Sequence, residues 1–503
     1  MKHTRFIQFI VSITMLVALF GSTGTVTLAA KAQPELVQVA HSKPEQTVSI
    51  IVQKIGKTNL PEAQVKEMGG KISGDLNIIN AFYAEMNAEA AVELSRAESV
   101  RWVSLDAKVE SSTCSQCINT ENLANSYINT IRADKVWNGS NYLQGQGIGV
   151  AVVDSGINPN GDLYTNAGKN RLIANIRFNT DYNQNTSDGY GHGTLISSIA
   201  GGDGSDSNGK YIGVAPLANI INVKVSNDDG SARASDVIQG LQWVLNNKDA
   251  YNIRVVNLSF NSTVAESYHT SPLDAALEIL WFNKIVVVVS AGNQANGIVY
   301  PPANDPFVIT VGATDDKGTS SLSDDVVASF SAYGTTSDGI IKPDLVAPGK
   351  NIVARLVNTN MGIANAHPSN LVSNNYFKMS GTSASAPMVS GAVAILLQAE
   401  PGLNPDQVKY RLMSTANKTW NGYNAIKTGA GYLDIFAAIK TNTTKTANTG
   451  TLPSKLLTTG SEPITWGSIG WNSIGWNSIG WNSIGWNSIG WNSIGWNSDY
   501  WDQ

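Results

Sequence analysis

The chain has 503 residues, of which 42% are hydrophobic and only 15% charged, where ordinary soluble domains carry roughly a quarter charged residues. Its formal net charge is −5 and it contains no basic block, which argues against nucleic acid and anionic membrane surfaces as partners. The length exceeds one typical domain and predicts two or three units.

The amino terminus reads as an export signal. Lys2, His3 and Arg5 precede a predominantly apolar run from Phe6 to Phe20, and Ala30-Lys31-Ala32 has the small-x-small form of a cleavage site. The run is about 15 residues long, short of the ~20 that a spanning helix needs. Residues 1–32 are therefore expected to be a signal peptide, leaving a secreted mature protein without a transmembrane segment. Residues 33–112 carry short mixed elements. Val48–Val52, Phe82–Met86 and Val100–Leu105 have strand composition, and Asn87 is a suitable N-cap for a helix from Ala88 to Arg96. A compact α+β module is expected there. Cys114 and Cys117, the only cysteines, follow it. In an exported chain such a pair reads as a local disulfide, and its very small loop adds little stability.

From about residue 113 to 440, strand and helix patterns alternate. Gly149–Asp154 reads as a buried strand that stops at a carboxylate. Gly189-Tyr190-Gly191-His192-Gly193-Thr194 sets an imidazole among glycines, just before an apolar helical pattern. Ile220–Val225, Val255–Leu258 and Ile285–Val289 are strand-like, and Ser235 and Ser271 are placed to cap helices between them. A continuous apolar strand such as Ile285–Val289 argues burial on both faces, so the expected fold class is α/β, a mainly parallel sheet with helices on both faces. Sites in such sheets form at the carboxyl ends of strands. Met379-Ser380-Gly381-Thr382-Ser383-Ala384-Ser385-Ala386-Pro387 then leads into another apolar helix, with Pro387 expected in its first turn.

One Asp, one His and one Ser at element ends, in the chain order Asp, His, Ser, form an orienter–base–nucleophile set. The motifs around Asp154, His192 and Ser383 resemble those of the subtilisin-like serine protease family, over roughly residues 136–440. The resemblance implies that Ser383 is the nucleophile, His192 the general base and Asp154 its orienter. It implies that Asn293, in Ser290-Ala291-Gly292-Asn293, is an oxyanion donor. It places a peptide substrate against Val223–Ser226 and against Asn257, Leu258, Ser259 and Phe260, with Ser290, Ala291 and Gly292 as the pocket floor. Val299 stands where many relatives carry Gly, which would narrow that pocket. Leu195 departs from the family, which often has a second His there, outside the triad. The module before the catalytic unit resembles the family's inhibitory propeptide, with a self-cleavage point between Glu110 and Asn125. Calcium is the one cofactor implied, with Asp162 and the Gly202–Gly209 loop as its oxygen-rich candidates.

Residues 441–461 read as a linker. Beyond them Trp recurs every five residues from Trp466 to Trp501 in a Trp-Asn-Ser-Ile-Gly unit. A period of five matches neither strand nor helix, which leaves three readings: contact with a cell surface or glycan through stacked Trp, folding back on the catalytic domain, or low-complexity sequence without fixed structure. Of these the Trp content favours interaction. The expected division is thus signal peptide 1–32, propeptide 33–112, catalytic domain 113–440, and linker with low-complexity Trp repeat tail 441–503. The expected activity is secreted endopeptidase action on polypeptides, starting from a self-processing zymogen. The competing reading is a catalytically inert envelope protein that binds through its tail.

Overall fold

The computed structural model describes residues 30–107, 117–164, 168–179, 185–295, 297–459, 462–463 and 494–495. The basic start and apolar run of the expected signal peptide, Cys114, and the Trp repeat other than Ile494–Gly495 lie outside these residues. The chain divides into two compact units, Met1–Thr113 and Cys114–Gln503.

The first unit runs α1 (Pro34–Ser42), β1 (Thr47–Lys54), α2 (Leu60–Glu67), β2 (Lys71–Leu76), β3 (Ala81–Asn87), α3 (Ala88–Leu94) and β4 (Val100–Leu105). Its strands form one antiparallel sheet in the order β2-β3-β1-β4. Alternation along β1 turns Val48, Ile50 and Val52 inward, where they share a core with Phe82, Met86 and Leu36. The Asn87 side chain accepts from Ala90 N–H at 2.7 Å, so the expected cap is present. The helix is shorter than expected. It ends at Leu94, because Arg96 and Ala97 bond back to Glu93 and Leu94 in a tighter i→i−3 turn.

The second unit is built on β5 (Gly149–Asp154), β6 (Leu172–Arg177), β7 (Asn219–Lys224), β8 (Ile253–Leu258), β9 (Asn261–Ser262), β10 (Val286–Ser290), β11 (Ile309–Asp315), β12 (Val326–Val327) and β13 (Leu345–Pro348). The sheet order is β12-β11-β10-β8-β5-β7-β6, with β13 also on β11, and every pair is parallel except β11–β12. Every residue of β5, β10 and β11 is buried, as a sheet covered on both faces requires. The cover comes from α4 (His192–Gly201), α5 (Ala234–Asn247), α6 (Pro272–Phe282) and α7 (Thr382–Ala399). Helix α7 packs on α4 and on β8, β10 and β11, while α5 packs on α6 and β5.

Two helix starts differ from expectation. Helix α5 begins at Ala234 after Arg233, so Ser235 lies inside the first turn and does not cap. Helix α7 begins at Thr382, which puts Pro387 in its interior instead of its first turn. Ser271 does cap α6, accepting from Asp274 N–H at 3.3 Å. Asn404 and Gln407 exchange side-chain and backbone bonds at the start of α8 (Pro405–Thr415), which forms a capping box. Among the described residues, α7 is the one helix long and apolar enough to cross a membrane, and it is a buried core helix.

Candidate active site

The parallel strands end on one side of the sheet, and the polar groups collect there. Asp154 is the last residue of β5 and is 1% exposed. Its Oδ1 accepts Ser155 N–H at 2.7 Å. His192 opens α4, and its Nδ1 meets Asp154 Oδ1 at 2.9 Å and Oδ2 at 3.1 Å. That contact assigns Nδ1 to the carboxylate and sets Nε2 on the opposite edge of the ring. The approach of α4 to β5 depends on Gly193. A Cβ there would lie 2.2 Å from the carbonyl oxygen of Gly156 and 3.1 Å from Asp154 Oδ1.

A group absent from the expected set holds this helix start. Asp188 is buried and takes four donors: Ser155 Oγ (2.8 Å), Gly191 N–H (2.6 Å), Thr194 N–H (2.9 Å) and Thr194 Oγ1 (2.7 Å). Ser155 Oγ in turn accepts Gly193 N–H at 2.9 Å. The carboxylate thereby satisfies orphan N–H groups in the first turn of α4, the turn that presents His192. Burial raises the pKa of Asp188, and these hydrogen bonds act against that rise.

Ser383 is the second residue of α7, and its hydroxyl donates to Ser259 C=O at 3.0 Å. Pro387 explains the reciprocal bond. A helical residue four places after Ser383 would donate its N–H to Ser383 C=O, but proline has none. Ser259 Oγ supplies that donor at 3.1 Å. Asn257 Nδ2 reaches Ser259 Oγ at 2.9 Å, and Ser390 Oγ reaches Asn257 Oδ1 at 2.8 Å, so a buried polar line ties β8 to α7 beneath Ser383. Asn293 is fixed by its carbonyl side. Its Oδ1 accepts Thr382 N–H at 2.8 Å and Thr382 Oγ1 at 2.9 Å, which leaves Nδ2 on the side of Gly381, 3.1 Å from where a Cβ would stand. Asp154 and His192 are 1–2% exposed, whereas Ser383 and Asn293 are 9% and 8% exposed. An incoming molecule therefore meets Ser383 and Asn293 first.

A chain match follows from the same residues. The sequence model of the subtilase family matches residues 145–432, more than half of the chain, and spans Asp154, His192, Asn293 and Ser383. The chain belongs to the subtilase family. That membership makes it a serine-type endopeptidase. It is 36% identical to the serine protease AprX of Bacillus subtilis (strain 168) over 74% of this chain and 81% of that protein. It is 26% identical to the alkaline elastase YaB of Bacillus sp. (strain YaB) over 86% and 98%. Among solved structures, fervidolysin from Fervidobacterium pennivorans, a keratinolytic enzyme related to subtilisin, shares the fold. Its TM-score is 0.50 at 24% identity, over 79% of this chain and 61% of that one.

Much of the backbone that the resemblance assigns to a peptide is already paired within the sheet. Asn257 and Leu258 are paired on both sides, to β5 and to β10, and cannot accept a peptide by strand addition. Val223 and Lys224 are likewise enclosed between β5 and β6, and Ser226 bridges Ala232. Past Ser259 the chain leaves that sheet and enters β9, whose strand partner among the described residues is Ile494–Gly495. Ser290, Ala291 and Gly292 lie beside β9, with Ser290 C=O accepting Asn261 Nδ2 at 3.0 Å and Gly292 N–H donating to Thr382 Oγ1 at 3.0 Å. Val299 and Leu195 are buried.

The oxygens proposed for calcium are engaged by other donors. Asp162 Oδ1 accepts Asp206 N–H at 2.7 Å, Asp206 Oδ2 pairs with Arg355 Nε at 2.8 Å, and the Arg171 guanidinium bonds Asp162 C=O. Two arginines thus supply positive charge where the ion was expected, and the residues do not fit a calcium shell. Among the described residues no group of three carboxylate, His or Cys side chains is arranged to hold a metal. Cys117 is disulfide-bonded, and Cys114 is the only other cysteine.

Proposed function

We propose that this subtilase is a secreted endopeptidase, made with a signal peptide over residues 1–32 and a self-cleaved propeptide over 33–112, that hydrolyses peptide bonds through an acyl-enzyme on Ser383. The observation that carries the reading is the Asp154–His192 pair, buried and hydrogen-bonded through Nδ1, at the end of the sheet where α7 presents Ser383. His192 takes the Ser383 proton as the hydroxyl attacks the scissile carbonyl, then returns it to the leaving amine. Asp154 holds the imidazole in the required tautomer and stabilises its positive form. In the resting protein the Ser383 hydroxyl points to Ser259 C=O, so it turns to His192 when substrate arrives, a tightening usual for catalytic contacts. The oxyanion meets the Ser383 N–H at the helix start and the Asn293 amide. Loss of such an amide costs roughly 10²–10³ in turnover, a figure that comes from subtilisin itself. An extended polypeptide pairs with the backbone past Ser259 as an added strand. The Trp repeat is read as an interaction segment, and no step is assigned to calcium.

The test is intact mass and peptidase activity of secreted wild type beside Ser383→Ala. Wild type should lose the signal and propeptide, while the variant loses the signal alone and about 10⁶ of activity, the size of that loss in subtilisin. Equal processing of both proteins would overturn self-maturation, and equal activity would overturn Ser383 as nucleophile.

A further inference from the structure

The Trp repeat tail is the one sequence feature that the catalytic reading leaves without a role. Its described part is β14 (Ile494–Gly495), which pairs antiparallel with β9 in the register Ile494↔Ser262 and Gly495↔Asn261. Strand β9 is where the chain has left the main sheet. It lies two residues past Ser259, whose carbonyl receives the Ser383 hydroxyl, and its Asn261 side chain bonds the backbone of Ser290. Ser262 N–H is already taken by Pro301 C=O at 2.6 Å. Alternation along a strand therefore turns the backbone N–H and C=O of Asn261 toward Gly495.

We propose that the tail is an intramolecular competitor for the substrate edge, with an Ile-Gly pair of the repeat docked on β9 as an added strand. The proposal rests on the reading of that edge as the peptide site. Three observations carry it. The contact is by main chain, the mode in which an extended peptide joins a sheet edge. A peptide in this register brings the residue two places after its glycine level with Ser259, so tail and substrate claim the same positions. The sequence also offers the docking pair six times, at five-residue intervals from Ile469-Gly470 to Ile494-Gly495, each followed by Trp-Asn. Every unit can take the same register, so the repeat multiplies the chances of occupancy. A tethered segment acts at an effective concentration on the order of millimolar. Even a weak two-residue contact then raises the apparent KM of a competing peptide without touching kcat.

The test replaces the glycine of all six pairs with proline, Gly470→Pro through Gly495→Pro, in the full chain. Proline removes the N–H that faces Asn261 C=O and leaves tail length intact. The first readout is amide hydrogen exchange over residues 260–263, made in a Ser383→Ala background so that nothing is cut. Exchange should be about two- to tenfold faster with the proline tail, as expected for partial occupancy by a millimolar tether. Equal exchange overturns the docking. The second readout uses the Ser383 protein and an extended peptide substrate. KM should fall about two- to tenfold with the proline tail at unchanged kcat, and an unchanged KM overturns the competition. The two readings fail separately. Faster exchange with no peptide hydrolysis by either protein would sink the peptidase assignment and keep the docking. Hydrolysis with equal exchange would do the reverse.

Discussion

Ser259 and Pro387 show how a single missing N–H shapes the site. The Ser383 carbonyl is buried in a helix that cannot bond it, and Ser259 Oγ is its donor. Ser259→Ala should leave that carbonyl unsatisfied at a cost of about 1–3 kcal/mol. Chemical denaturation in a Ser383→Ala background measures it. Adding Pro387→Ala restores a helical N–H at the same carbonyl and should recover about 1 kcal/mol. No recovery in the double variant would show that Ser259 acts by packing alone. Asp188 works on the histidine side. Asp188→Asn keeps one acceptor but loses others from the start of α4, so His192 is held less firmly over Asp154. Because misplacement by about 1 Å can cost 10²-fold, kcat should drop by at least tenfold while KM stays near wild type.

At the scale of elements, the join between β5 and α4 is the least forgiving. Gly193→Ala would drive a methyl group into the Gly156 carbonyl and force the helix outward. An overpacking cost of about 1–3 kcal/mol is expected, and activity should fall with it, because α4 carries His192. Unchanged denaturation and unchanged kcat would mean that the join has slack it does not show. The same elements explain what the sequence disclosed. Strands β5, β8 and β10 are unbroken apolar runs, so their burial and the parallel sheet were legible, as were Asp154, His192 and Ser383 at element ends. Asn87 and Ser271 were legible as caps because capping is local chemistry, although Ser235, expected on the same ground, does not cap. Asp188 was not, because its four donors are assembled by two loops and a helix start, and nothing in its immediate neighbours announces that. Which residues of the Asn257–Phe260 segment have their edges filled was illegible for a related reason. Asn257 and Leu258 have strand composition, but only the pairing of β8 with both β5 and β10 shows their edges are filled. Strand β2 went unseen because none of its residues is fully buried, so it lacks the apolar alternation that marks a strand.

The whole second unit carries an excess of buried acid away from the site. Asp274 and Glu278 lie one turn apart on α6, and Asp305 lies in the loop before β11; all three are fully buried. Burial, and then repulsion from Asp305, raises Asp274 and Glu278 well above the usual range, and burial pushes Asp305 up to about 6. Glu266 adds further repulsion on Asp274, while Lys342 acts against it. Burial would also raise Asp344, but Lys342 and Lys409 more than offset that and hold it low. Raised carboxyl pKa values mean that the folded state binds more protons than the unfolded chain, for Asp305 between the ordinary value of 3.8 and about 6. Stability therefore falls as pH rises through that window and is regained on acidification. Asp344 works in the opposite sense, but only below its unfolded pKa. Lys342, lowered by burial to about 8, titrates above the window and leaves its slope alone. The unfolding temperature of the Ser383→Ala protein should accordingly be higher at pH 5 than at pH 7.5. Asp305→Asn should flatten that slope and raise stability on the alkaline side, since the amide oxygen can still accept from Phe307 N–H, the bond that Asp305 Oδ1 makes at 2.7 Å. A calorimetric profile that rises from pH 5 to pH 7.5 in the parent protein, or one that Asp305→Asn leaves unaltered, would mean that the acid cluster is neutralised by a partner other than the proton.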